Sequence, residues 1–355
     1  MAKRPRKLRS RKTGLPPGSL VLVGEVKTEQ PTITLIEYDA ARLDEKLFAS
    51  IEESRAYQPT RATFWLNVHG LHDAEVLAEI GRRFNLHPLV LEDILNTDQR
   101  PKLDDYGDYL YLVTRFFDYD AASMSLSTDQ VSIIVGRNFV LSFQERPTGC
   151  FDPIRERLRS DKGQIRKLGA DYLAYSLLDA VVDRYFAVLE QLGERTEQLE
   201  DELLAQPSRA AVQLIHKLKR ETVQLRRAVW PLRELLSALQ RTGARFFTPA
   251  TQLYLRDVYD HTVHVIESLE AIRDMIAGML DLYLSALSNR VNSEVRLLTV
   301  IATIFMPATL ISGVFGMNFH EMPLLDSPRG FAFALGMMAT IAVTMSIVFW
   351  RRFFS

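Results

Sequence analysis

Cysteine is nearly absent from this chain, with Cys150 its sole representative. That excludes an internal disulfide and any zinc cluster built on thiolates. Net charge is lacking too: 43 Lys and Arg against 44 Asp and Glu leave −1, so no global field marks the chain for nucleic acid. No Walker motif, glycine-rich nucleotide loop or catalytic triad stands in the sequence, which argues against a nucleotide partner. The basic start, Lys3 to Lys12, has no apolar core. It is expected to be a cytosolic tail rather than a signal peptide, with contact to anionic lipid headgroups as its other reading. The most telling absence is local. Residues 297–319 and 330–350 contain no Asp, Glu, Lys or Arg.

Each uncharged run reaches the roughly 20 apolar residues that a helix needs to cross a bilayer core. Arg290 and Arg296 precede the first run, and Arg351 and Arg352 follow the second. The hairpin between them carries Glu321, Asp326 and Arg329. Basic flanks stay in the cytoplasm, so the hairpin should cross and both termini should be cytoplasmic, as in a prokaryotic inner membrane.

Residues 20–145 mix strand and helix signals. Leu20–Val26, Thr32–Tyr38, Thr63–His69 and Tyr109–Phe117 read as strands, and Gln130–Val135 with Phe139–Gln144 flank a turn at Gly136-Arg137-Asn138. Asp73–Phe84 and Pro88–Leu95 have helical spacing. Beyond about residue 150 the strand signals stop. Asp152-Pro153 opens a short helix, Asp171–Ala205 a long one, Ser208 caps another to about Arg241, and Thr248-Pro249 begins a third. That last helix is expected to run unbroken to Pro307 or Gly313, roughly 100 Å at ~1.5 Å per residue.

Its apolar stripe has an unusual period. Tyr254, Val265, Ile276, Leu287 and Leu298 are spaced by eleven, and so are Val258, Leu269, Leu280, Val291 and Ala302. Eleven residues over three turns favours nearly straight packing over a left-handed supercoil. Two readings follow: parallel copies of the chain associate about an axis, or the stripe packs on the two preceding helices. Within the first span Val291, Val295, Leu298, Ala302, Thr309 and Gly313 lie close to one helical face, with Met306 at its margin. That face serves either helix packing or the lining of a pore whose apolar half closes by dewetting.

Thr303-Ile304-Phe305-Met306-Pro307, then Gly313-Val314-Phe315-Gly316-Met317-Asn318-Phe319 and Glu321-Met322-Pro323, resemble the CorA family of magnesium channels. The Gly316-Met317-Asn318 tripeptide closes the penultimate span, before a short acidic hairpin and one last span. His87-Pro88-Leu89-Val90-Leu91-Glu92-Asp93-Ile94, Gln99-Arg100-Pro101-Lys102 and Arg256-Asp257-Val258-Tyr259-Asp260-His261 also look like family segments. Phe315 departs from the family's usual Tyr, and two terminal arginines replace a longer lysine-rich tail. The resemblance implies an α+β chain that forms a homopentamer in the bilayer: a basic tail over 1–19, a mixed α/β/α cytoplasmic domain over 20–168, a helical funnel and stalk over 169–296, a pore-lining span over 297–317, a periplasmic loop over 318–329, an outer span over 330–350 and a basic tail over 351–355.

The chemistry suits Mg²⁺, a small ion that sheds water reluctantly. A ring of Asn318 amide oxygens can hydrogen-bond the ion's own waters without holding it too tightly to release. Gly316 permits close backbone approach, and Glu321 and Asp326 would attract cations outside. The plain alternatives are a helix C-cap for Asn318 and a solvated loop for the two acids. Asn292 would offer a second amide ring or sit on the stalk surface. A divalent ion entering an inside-negative cell gains roughly 4–5 kcal/mol per 100 mV, so no pump is required. By resemblance, Asp93 of one subunit and Asp257 of the next would share a regulatory Mg²⁺, with Glu92 and Asp179 near a second ion. Depletion would loosen the subunits, giving negative feedback. Asp179 and Asp183 form a like-charge pair one helical turn apart.

Two rival readings stand beside this one. The first is a zinc transporter of the ZntB subgroup, for which only His69/His72 and His261/His264 have a ligand-like spacing. The intact Met317 favours Mg²⁺ instead, with Co²⁺ and Ni²⁺ as further cargo. The second is a membrane-tethered enzyme built on the α/β domain, for which no nucleophile–base constellation is visible.

Overall fold

The computed structural model describes residues 14–48, 50–55, 57–120, 123, 125–205, 207–317 and 328–353. The chain divides into two compact units, Met1–Glu200 with Val212–Gly278, and Asp201–Ala211 with Met279–Ser355.

The first unit is built on a seven-stranded sheet in the order β2-β1-β3-β7-β6-β5-β4. Its strands are β1 (Thr32–Tyr38), β2 (Leu43–Phe48), β3 (Thr63–His69), β4 (Lys102–Asp105), β5 (Leu110–Asp120), β6 (Ser125–Val135) and β7 (Phe139–Gln144). Among the described strands of this sheet, the β3–β7 pairing alone is parallel. The central strands are buried on both faces, as their near-continuous apolar runs require. On one face, two helices cover the sheet: α2 (Ala74–Arg83) and α3 (Pro88–Leu95). Ile33, Leu35, Leu66, Val68 and Phe143 of the strands share a core there with Leu77, Ile80, Val90 and Ile94 of those helices. The opposite face carries Ile36, Tyr38, Trp65 and Val140. There Trp65 meets Phe151 edge-on at 5.9 Å, just ahead of α4 (Asp152–Arg159). Helices on both faces make the α/β/α arrangement. A short α1 (Ile51–Arg55) follows β2.

Local signals explain the boundaries. Asp73 caps α2 by accepting from the Glu75 and Val76 amides, and Pro88 opens α3 behind its His87 cap. The long helices are α5 (Ala170–Ala205), α6 (Arg209–Thr242) and α7 (Pro249–Phe315). α7 passes through Pro307 without ending there, which membrane helices tolerate. α8 (Gly330–Phe353) follows.

The structure departs from the sequence expectations in three places. Leu20–Val26 is not a strand, because Val23 pairs with the end of α3 instead: its amide donates to the Leu95 carbonyl at 2.9 Å and its carbonyl accepts from the Thr97 amide at 3.0 Å. Strands β2 and β4 lie at the sheet's edges, and their charged runs, Asp44-Glu45-Lys46 and Asp104-Asp105, hide them from an apolar-run reading. The α7 stripe divides rather than keeping one environment. Val258, Val265, Leu269 and Ile276 are buried within the chain, whereas Leu280 and Leu287 are each 40% exposed and Leu298 67%.

Candidate functional site

In the first unit, α5 and α7 are pinned by three tyrosines. Tyr172, Tyr175 and Tyr254 cluster with ring centroids 5.1 to 5.3 Å apart. One and two turns along, Asp179 and Asp183 of α5 meet His261 of α7, with one ligand atom from each inside a 4.8 Å span. Asp257, one turn before His261, stands 3.8 Å from its Nε2. The Tyr175 hydroxyl donates to Asp179 at 3.4 Å. Burial, then the charge of Asp183, pushes the Asp179 carboxyl up to about 6. A cation would relieve that crowding. Carboxylate oxygens suit Mg²⁺, and the imidazole widens the set toward Co²⁺, so the residues fit a divalent ion. The i, i+4 spacing of Asp179 with Asp183 and of Asp257 with His261 is visible in the sequence; the convergence of His261 with α5 is a product of the fold.

Glu92 and Asp93 lie elsewhere, on α3, lining an open recess with Lys102, Asp104 and Asp105. Glu92 Oε2 accepts from the Gly18 amide at 2.5 Å. Asp93 accepts from Gln99 Nε2 at 2.5 Å and from Lys102 Nζ at 2.7 Å. Burial would lower the Lys102 ammonium, but its hydrogen bonds to Asp104 and Asp93 and their charges outweigh that and hold it raised.

In the second unit, Val291, Asn292, Val295, Leu298, Ala302, Met306, Thr309 and Gly313 lie on α7, and all of them are exposed. Met306, Thr309 and Gly313 share a shallow groove with Met317. The Thr309 hydroxyl donates to the Phe305 carbonyl at 2.9 Å, leaving its oxygen lone pairs available. α7 ends at Phe315, and a Cβ on Gly316 would meet the Ser312 carbonyl at 3.1 Å. Asn318, Glu321 and Asp326 lie outside the described residues. Both α7 and α8 are long and apolar enough to cross a membrane.

The family model described as CorA-like Mg2+ transporter protein matches residues 61–352. The chain is 43% identical to the cobalt/magnesium transport protein CorA of Thermotoga maritima, over 97% of each chain. It is 32% identical to the putative metal ion transporter YfjQ of Bacillus subtilis, over 90% of this chain and 98% of the other. The complete structure of the CorA magnesium transporter from Methanocaldococcus jannaschii shares the fold, with a TM-score of 0.75 at 21% identity over 90% of this chain and 97% of that one.

Proposed function

This chain belongs to the CorA-like Mg2+ transporter family, and from that premise we propose a homopentameric channel for passive, potential-driven Mg²⁺ influx that also admits Co²⁺. The family is one of divalent-cation transporters, so the enzyme reading falls away. The observation that carries the proposal is α7 itself: one 67-residue helix bears Asp257 and His261 early and an uncharged, exposed span late. The span's Val291–Gly313 face lines the pore, and Gly316, Met317 and Asn318 form the selectivity filter. Asn292 adds an amide ring, and Glu321 and Asp326 attract cations outside. Asp93, Asp257, Glu92 and Asp179 hold regulatory Mg²⁺ between subunits. The protein sits in the inner membrane with both termini cytoplasmic.

Mg²⁺ uptake into sealed vesicles tests this directly. Asn318→Ala should lose uptake or ion preference; unaltered conduction and preference would remove the filter assignment. A zinc reading has one observation in its favour, the imidazole of His261 among the acids. Liposome uptake of Mg²⁺ against Zn²⁺, with and without a proton gradient, separates the two.

A further inference from the structure

We propose that Lys102 is a tethered competitor for the regulatory cation at Asp93. The proposal rests on the reading of Asp93 as a metal ligand. Lys102 Nζ lies 2.7 Å from Asp93 and 2.5 Å from Asp104, so one ammonium bridges two carboxylates. Gln99 takes the other Asp93 oxygen. Within a single subunit, Asp93 is therefore already ion-paired by its own chain, sharing one ammonium with Asp104. A divalent ion must displace the ammonium before it can use the Oδ2 lone pairs.

The surroundings make that exchange workable. Lys102 opens β4, an edge strand, and its ammonium lies 5.5 Å from the Tyr111 ring centroid. A flexible four-carbon stem lets the charge move without the backbone. Asp104 is the parking place: when the metal takes Asp93, the ammonium keeps one partner. Glu92 and Asp105 line the same recess, so it stays attractive to cations. The lysine thus lowers the affinity at Asp93 and sets the Mg²⁺ concentration at which the clamp engages.

The test uses the full-length protein in detergent and the Mg²⁺ concentration giving half-maximal thermal stabilisation. Lys102→Met should lower that midpoint about two- to fivefold, the range of a partly exposed ion pair. Asp104→Asn, which removes the parking place, should raise it. Lys102→Arg should stay near the parent, and Lys102→Gln replaces Met if that variant fails to fold. If Asp93→Ala shifts the midpoint but the neutral Lys102 variants do not, the competitor idea is overturned while the Asp93 reading stands. If Asp93→Ala leaves the midpoint in place, both fall.

Discussion

The Asp171 carboxylate of α5 accepts from both the amide and the hydroxyl of Thr248, each at 2.9 Å. Thr248, the residue that precedes α7, is thus tied to a buried side chain 77 residues earlier. Asp171→Ala should destabilise the first unit by about 1–2 kcal/mol, the scale of a lost hydrogen bond to a carboxylate. Thermal unfolding of the purified chain checks this; an unchanged transition would show that the tie carries no stability.

The divided stripe of α7 predicts two different failures. Leu269→Ala should cost the fold about 2–5 kcal/mol, since Leu269 is buried. Leu287→Glu should leave the fold within about 0.5 kcal/mol and weaken assembly, read by light scattering on the detergent-solubilised protein. Intact oligomers in that variant would count against self-association through this face.

His69 is a largely buried, neutral imidazole. Burial, then the charge of Arg155, lowers it to about 4. The unfolded chain takes up a proton near pH 6.5 while the folded chain does not, so stability is full above pH 6.5 and falls as pH drops toward 4. The loss is on the order of 3 kcal/mol. His69→Gln should flatten the difference between unfolding at pH 7 and pH 5; equal pH slopes in parent and variant would refute it.

Asp257 is exposed, so its replacement should be tolerated. Asp257→Lys sets a fixed ammonium where the Mg²⁺ shared with Asp93 of the next subunit would bind. The internal Mg²⁺ needed to halve the flux should rise at least about tenfold. A flux as Mg²⁺-sensitive as the parent's would exclude Asp257 from the clamp.

Local pattern made much of this protein legible. Uncharged length announced both spans, and β-branched and aromatic runs of strand length placed β1, β3 and β7 to the residue. Pro88, Ser208 and Pro249 marked helix starts because caps and prolines act on their own turn. Tertiary structure decided the rest. The edge strands β2 and β4 exist only through pairing with neighbours, and Val23 took a helix end as its partner. Which part of the α7 stripe its own chain covers, the meeting of Asp179 and Asp183 with His261, and the hold of Lys102 on Asp93 all depend on elements brought together by folding. A periodic signal reports which face is apolar; it says nothing about what arrives to cover it.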